Sequence, residues 1–143
     1  MKQLSELYDF AAEQNIAVDS FQLKKREALA FMDLDGSCFI AIDPTKIESE
    51  MDERMKLGHE LGHCITGSFY NEYSAYDCRQ RHENRADKWE IQQMIPAEAL
   101  DEAIADGYTE LWSLAEYFEV PVDFMKKAVC LHTYGNLAVD CYF

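Results

Sequence analysis

Two histidines four residues apart, His59 and His63, enclose a glutamate in the sequence HELGH at positions 59–63. Residues four apart lie on the same face of an α-helix, so both imidazoles can reach one metal ion. Glu60 would then stand beside that ion, where a carboxylate can take a proton from a water molecule. The alternative is an accidental match on a structural helix, so the pattern needs support from the rest of the chain.

A third metal ligand is predicted at Glu83, which follows His63 by 20 residues. Two histidines and one carboxylate leave the fourth position of a tetrahedral zinc site open for water, as catalytic zinc requires. Asp87 lies one helical turn after Glu83 and therefore on the same helical face. There it can accept the free ring N–H of a ligating histidine and fix its orientation. The spacing predicts a zinc-dependent hydrolase.

The N-terminal part of the chain is predicted to form a helix and a β-hairpin. Apolar residues recur at helical spacing as far as Asn15, and a short extended piece follows at 17–18. Residues 28–34 and 37–42 are apolar and β-prone. The Asp35-Gly36 pair between them suits a two-residue type I′ turn.

Helices are predicted for most of the remaining chain. The helix that carries the histidines runs from about Ser49 to Gly67, with Ser49 or Thr45 as its capping residue. A second helix, which carries the two carboxylates, begins near Asp77 and ends before Pro96. Three shorter helices follow, over about 97–105, 110–118 and 122–131.

Length and charge restrict the classes of function. A chain of 143 residues fits one α+β domain, here with a core over about 1–95 and a helical extension over about 96–143. The net charge of −14 opposes binding to nucleic-acid backbones and anionic membranes. No apolar run approaches the roughly 20 residues of a membrane span, and no signal-peptide pattern opens the sequence. We therefore expect a cytoplasmic protein that contacts neither nucleic acid nor membrane directly.

The five cysteines are scattered and form no CxxC pair, so all are predicted to be free thiols: Cys38, Cys64, Cys78, Cys130 and Cys141. Cys64 follows His63 directly, but successive helical residues point about 100° apart. Core packing is therefore expected for Cys64, and exposure for Cys141 near the end of the chain.

HELGH on one helix and Glu-x-x-Ala-Asp at 83–87 on the next resemble the ImmA/IrrE family of zinc metallopeptidases. The spacing also resembles the thermolysin-like gluzincins, whereas metzincins need a third histidine where this chain has Phe69. The resemblance implies a minimal zincin-like (gluzincin-like) fold. It further implies an intracellular peptidase, often of a prophage or mobile element, that cuts a helix-turn-helix transcriptional repressor. By position, the zinc ligands would be His59, His63 and Glu83, with Glu60 as general base and Asp87 supporting a ligand.

Several alternatives remain open at the level of sequence. The protein could instead be a non-cleaving anti-repressor that keeps zinc for its shape and acts by contact. Residues 110–129 faintly resemble part of a helix-turn-helix, but their acidic character disfavours DNA binding. Glu90 departs from the family pattern, which has a small apolar residue there, and it lies near the face of Asp87. The donors available to stabilise an oxyanion are Tyr70, Tyr73, Tyr76, His82, Arg85 and His132.

Overall fold

The computed structural model describes residues 2–71 and 73–143 and confirms the predicted α+β class. Within these residues the strands are β1 (Ala17–Ser20), β2 (Ala28–Met32) and β3 (Cys38–Ile42). The helices are α1 (Leu4–Glu13), α2 (Glu50–Thr66), α3 (Tyr76–Met94), α4 (Ala97–Ala105), α5 (Leu111–Phe118) and α6 (Val122–Tyr134). Short 3₁₀ helices lie at Pro44–Lys46 and Val139–Cys141. The predicted helices therefore all form, with ends that differ by a few residues.

The three strands form one sheet in the order β1-β3-β2. β3 runs parallel to β1 and antiparallel to β2, with Ala28 opposite Ile42 and Met32 opposite Cys38. Its apolar side chains are mostly buried, as expected for the central strand, while β1 and β2 each keep one unpaired edge. β2 packs against α2, so one free edge of the sheet lies beside the helix of the two histidines.

The hairpin between β2 and β3 forms as predicted, but its predicted two-residue type I′ turn is wrong. The N–H of Asp33 donates to the carbonyl of Ser37, and the N–H of Gly36 donates to the carbonyl of Asp33. The loop therefore has three residues, with Gly36 at φ +88°. A type I′ turn needs positive φ at both central residues, and Asp35 does not adopt it. The short carboxylate of Asp35 instead accepts the N–H of Ser37.

The helix α2 has the predicted ends and is fixed by its apolar face. The Ser49 hydroxyl caps its start by accepting the N–H of Asp52 at 3.1 Å. Leu57 and Leu61 are fully buried on one face. Gly67 ends the helix with φ +64°, a left-handed conformation that glycine adopts without steric cost. The HELGH sequence therefore occupies the last turns of a well-anchored helix.

The chain divides into two compact units, Lys2–Glu90 and Ile91–Phe143. The first contains the sheet, α1, α2 and most of α3, while the second contains α4, α5 and α6. Within the second unit α5 packs on α6, and the His132 ring bonds the Ile95 carbonyl at 2.7 Å. The prediction of one domain with a core over about 1–95 and an extension over about 96–143 stays a prediction. Across the described residues, none of the helices has the length and apolar character that a membrane span requires.

The prediction of five free thiols is wrong, because Cys38 and Cys64 form a disulfide. Cys38 begins β3 and Cys64 lies near the end of α2, with their Cα atoms 5.9 Å apart. The fold brings these elements together although the two cysteines are 26 residues apart in sequence. The spacing of the cysteines along the chain therefore could not predict this pair. Cys78, Cys130 and Cys141 are free, and Cys141 is exposed as predicted.

Removing this disulfide should destabilise the protein. The double variant Cys38→Ser, Cys64→Ser should lower the free energy of unfolding by about 3 kcal/mol, because the bond closes a loop of 26 residues. Urea unfolding measures this loss, and Cys141→Ser, at an exposed position, should leave the unfolding midpoint unchanged. Thiol titration of denatured protein never exposed to reductant should find three thiols. Five titratable thiols would contradict the disulfide.

Candidate metal centre

The helices α2 and α3 approach each other closely at Gly62, and this approach positions the candidate site. A Cβ atom added to Gly62 would lie 2.6 Å from the backbone oxygen of Ala86. Any larger residue would push the helices apart, so the close packing of α2 on α3 requires glycine at this position. Ala86 lies between Glu83 and Asp87 in sequence. The contact therefore brings both α3 carboxylates to the histidine face of α2.

The structure brings the three predicted metal ligands together. The Nε2 atoms of His59 and His63 lie 3.2 Å apart. The Glu83 carboxylate lies 2.8 Å from the His59 Nε2 and 3.3 Å from the His63 Nε2, using one oxygen for each. Three potential ligand atoms from two helices thus converge on one point.

Each histidine is oriented through its other ring nitrogen. The Nδ1 of His63 lies 2.5 Å from the Ser68 carbonyl oxygen, which can only accept, so this nitrogen carries the proton. The Nδ1 of His59 faces the Asp87 carboxylate at 3.1 Å. In the neutral rings, both Nε2 atoms therefore present lone pairs to the centre. Lone pairs and a carboxylate this close together repel unless a cation lies among them.

The spacing of these atoms fits zinc. A tetrahedral site with bonds of about 2.0–2.1 Å places neighbouring ligand atoms about 3.3 Å apart. The two Nε2 atoms lie 3.2 Å apart, and the two Glu83 oxygens lie 2.8 Å from the His59 Nε2 and 3.3 Å from the His63 Nε2, each close to that value. Two imidazoles with one carboxylate is also a ligand set typical of catalytic zinc. The residues present therefore suit this metal and leave a fourth position open.

The electrostatics of the cluster favour positive charge. Burial works against a charged His59, but the carboxylates of Asp87 and Glu83 outweigh it and raise the pKa of His59 to about 11. Burial acts to raise the pKa of Glu83, yet the two imidazoles and the Tyr70 hydroxyl hold that pKa well below its usual range. The surroundings that retain a proton on His59 equally favour a metal cation at the same place.

Glu60 lies in a small pocket beside these ligands. The pocket has a volume of about 40 Å³ and is also lined by His63, Tyr70 and Glu83. That volume accommodates a group about the size of a water molecule. Glu60 is 5% exposed, and its burial raises the pKa of its carboxyl group. A buried carboxylate that lines a water-sized space is suited to accept and return a proton.

Tyr70 is the candidate oxyanion donor that the structure places at the cluster. Its hydroxyl donates to the Glu83 carboxylate at 2.6 Å, and its ring stacks against the His82 ring. The remaining aromatic and basic candidates have other surroundings. Tyr73, Tyr76 and Arg85 are exposed, and His132 bonds the Ile95 carbonyl.

Glu90, the departure from the family pattern, lies next to the ligands. It is 3% exposed, and its carboxylate lies within 4.8 Å of the His59 and Asp87 side-chain atoms that face it. Its negative charge adds to that of Asp87 in raising the pKa of His59. Glu90 therefore acts on the histidine mainly as a second nearby charge.

Sequence reasoning missed two groups at this site. The first is the Ser68 carbonyl, which Gly67 turns back toward α2 so that the Ser68 N–H also reaches the His63 carbonyl. The glycine that ends the helix was the available signal for this turn. The second is Arg26, which lines the same pocket as Glu60. No spacing relates Arg26 to the HELGH sequence.

Comparison with known proteins is consistent with this geometry. The family model for Peptidase_M78, described as an IrrE N-terminal-like domain, matches residues 11–129. This match covers the sheet, α2, α3 and all three candidate metal ligands. No curated protein matches the chain.

Removal of single ligands should abolish metal binding. His59→Ala, His63→Ala and Glu83→Ala should each lose most of the zinc, because two remaining ligands hold it poorly. Asp87→Ala should instead weaken zinc affinity by about 10–100-fold, as loss of a residue that orients a ligand does. Elemental analysis and competition with a chelator measure these effects. His132→Ala serves as control, and full zinc occupancy in Glu83→Ala would show that another residue is the third ligand.

Proposed function

The chain belongs to the IrrE N-terminal-like family of peptidases, and on that premise we propose that it is a zinc-dependent endopeptidase. The family accounts for the α+β fold, which is zincin-like. The observation that carries the proposal is the convergence of two imidazole nitrogens and the Glu83 carboxylate, with Glu60 in the adjoining pocket. This arrangement provides both a metal site and a proton acceptor.

The contacts of each residue support a particular role in the proposed peptide hydrolysis. His59, His63 and Glu83 would hold zinc, which when bound acidifies a water molecule and polarises the scissile carbonyl. Glu60 accepts the proton of the attacking water and passes it to the leaving amine. Asp87 and the Ser68 carbonyl keep the imidazoles turned so that their Nε2 lone pairs face the centre.

Tyr70 is proposed to stabilise the negative charge that develops on the substrate carbonyl oxygen. Its hydroxyl lies at the pocket and donates to Glu83 in the substrate-free protein. A phenol can turn its hydrogen toward a nearby oxyanion as charge appears there. Removing such a donor elsewhere has slowed catalysis by about 10²–10³-fold.

The free edge of β2 is proposed to receive the substrate backbone. β2 lies at the edge of the sheet, packs against α2, and contributes Leu29 and Ala30 to the pocket of Glu60. An extended peptide can pair with such an edge through main-chain hydrogen bonds. Edge pairing would bring a peptide bond next to the candidate ligands without a deep cleft.

The proposed substrate is a helix-turn-helix transcriptional repressor of a prophage or mobile element. The resemblance to ImmA/IrrE peptidases supports this class of substrate, and the net charge of −14 favours encounter with a basic DNA-binding protein. The same charge supports the absence of direct binding to nucleic acid or membrane. The competing proposal is the zinc-containing anti-repressor that binds without cleaving.

A cytoplasmic location remains part of the proposal, since its substrate would be an intracellular repressor. The Cys38–Cys64 disulfide weighs against it, because disulfides persist mainly in oxidising compartments. Differential alkylation of thiols in rapidly quenched cells, together with fractionation, decides between a cytoplasmic location and an oxidising compartment. Recovery of oxidised protein from an extracytoplasmic fraction would contradict the cytoplasmic placement.

Replacing the proposed general base should separate binding from chemistry. Glu60→Gln should keep full zinc occupancy and stability, because the amide has nearly the same shape, but should lose peptidase activity since it cannot accept the proton. Wild type and Glu60→Gln are each mixed with the helix-turn-helix repressor proposed as substrate, and intact mass is followed over time. Cleavage at one bond by wild type alone is the expected result.

Other outcomes of this experiment have clear meanings. Equal cleavage by both proteins would contradict the role of Glu60. Stable binding of the repressor by both proteins without cleavage would favour the anti-repressor. Digestion of unfolded casein with no effect on the repressor would overturn the proposed substrate while retaining the peptidase.

Substitution of Tyr70 tests the proposed oxyanion donor. Tyr70→Phe should lower kcat by about 10²–10³-fold with little change in KM, because the donor acts on charge that exists only in the transition state. Zinc content must be measured in parallel, since Tyr70 also bonds Glu83. Tyr73→Phe, at an exposed position, is the matched control. Unchanged kcat in zinc-loaded Tyr70→Phe would remove Tyr70 from the mechanism.

A further inference from the structure

Three consecutive basic residues, Lys24, Lys25 and Arg26, directly precede Glu27 and β2 in a chain whose net charge is −14. We call residues 24–26 the basic segment. All three side chains are exposed. Arg26 also lines the pocket of Glu60, whereas the two lysines are not among the residues that line it. A positively charged side chain therefore lines the pocket that Glu60 and Glu83 also line.

The backbone of the basic segment is held by polar contacts with Asp43 and Lys46. Asp43 is fully buried, and its carboxylate accepts the N–H of Leu23 at 2.9 Å. The Asp43 N–H in turn donates to the Glu27 carbonyl at 2.9 Å. The Lys46 ammonium donates to the carbonyls of Leu23 and Arg26, the latter at 3.2 Å. The backbone on both sides of Arg26 is thus held in place. This limits how far the Arg26 side chain can move from the pocket.

The carboxylates of Glu27 and Asp43 are bonded to groups other than the Arg26 side chain. The Glu27 carboxylate bonds the Lys56 ammonium at 2.6 Å, and Asp43 bonds Thr45, Leu23 and Lys46. Within residues 2–71 and 73–143, no close hydrogen bond or ion pair involves the Arg26 guanidinium. Its charge acts at longer range on Glu60 and Tyr70, where it opposes the larger effect of burial. The five N–H donors of this side chain are available to an incoming group.

We propose that Arg26 determines substrate specificity by binding a carboxylate of the substrate close to the scissile bond. The inference rests on the proposed peptidase function. A guanidinium matches a carboxylate in two parallel hydrogen bonds, so Arg26 would select Asp or Glu over neutral residues. Because Arg26 lines the same small pocket as Glu60, the selected residue lies within about two positions of the cleaved bond, given a rise of about 3.3 Å per residue.

This local preference differs from the attraction exerted by the whole protein. The overall negative charge acts over distances up to the screening length and draws a basic partner. Arg26 acts at contact distance on one side chain of the bound segment. The preferred substrate is accordingly a basic protein whose cleaved segment contains an acidic residue.

A binding experiment tests this without requiring turnover. Zinc-loaded Glu60→Gln protein is incubated with acetylated, amidated octapeptide pools in which Glu, Gln or Lys is scanned through the positions. Bound peptides are separated by size exclusion and quantified by mass spectrometry. The Glu pool should be retained about tenfold more strongly than the Gln pool, as a charge-assisted hydrogen bond allows. A Gln pool with a free C-terminal carboxylate distinguishes a side-chain carboxylate from a chain terminus.

Substitutions in the basic segment separate contact from general charge. In the Glu60→Gln background, Arg26→Gln should abolish the preference for Glu, and Arg26→Glu should reverse it in favour of the Lys pool. Lys25→Glu makes the same change in net charge one residue away and should leave the preference nearly intact. Circular dichroism and zinc content should match in all variants, because the Arg26 side chain is exposed and makes no structural bond in the described residues.

The outcomes distinguish this inference from the proposed function. Retention of peptides with no preference for Glu overturns the role of Arg26 alone. Equal losses in Arg26→Glu and Lys25→Glu overturn it as well, since the effect would then be general electrostatics. Retention of no pool by any variant also overturns the role of Arg26, whereas the peptidase function is judged separately by cleavage of the repressor. Selection of the free-terminus pool over the Glu pool would reject a side-chain carboxylate as the recognised group.

Discussion

The candidate site depends on two hydrogen bonds made by the Nδ1 atoms of its histidines. The Ser68 carbonyl and the Asp87 carboxylate each face one of these nitrogens and hold its proton. When both rings are neutral, the opposite nitrogens present lone pairs to each other and to Glu83 at distances near 3 Å. Positive charge stabilises this arrangement, either as the second proton that His59 retains or as a metal cation in its place. The two Nδ1 hydrogen bonds therefore orient both rings toward the candidate metal site before any metal binds.

The close contact of α2 with α3 makes this convergence possible. Gly62 removes the side chain that would separate the helices at Ala86, so the carboxylates of α3 reach the histidines across the gap. The disulfide between Cys38 and Cys64 ties the same end of α2 to the central strand. The turn at Gly67 then returns the Ser68 carbonyl to the helix it has just ended. The packing of α2 on α3 and the turn that ends α2 thus together position the residues of the candidate site.

The net charge of the whole chain and the local charge of Arg26 at the pocket have different consequences for substrate binding. The chain as a whole is strongly acidic, and Glu60, Glu83, Asp87 and Glu90 concentrate negative charge at the metal site. Such a site holds a cation well but repels an acidic substrate. Arg26 provides a positive group at the pocket, on backbone that is fixed by a buried carboxylate. The proposed role of Arg26 is thus to admit an acidic substrate residue at one defined position beside an acidic site.

The sequence by itself determined the features that repeat at short range. The four-residue spacing of His59 and His63 places both on one helical face, and the same periodicity and end signals predicted the six helices and the hairpin. The α+β class followed from the order of these elements. Hairpin geometry was less well predicted, because Asp35-Gly36 suits several turns and the pairing of Asp33 with Ser37 selects among them.

The tertiary structure decided what depends on residues far apart in the chain. The disulfide, the parallel pairing of β1 with β3, the Ser68 carbonyl at His63 and Arg26 at the pocket had no signal in spacing. Periodicity reports which side chains share a face of one element, but not which elements meet or how closely. Backbone groups such as the Ser68 carbonyl are present at every residue, so only the folded path of the chain gives one of them a role.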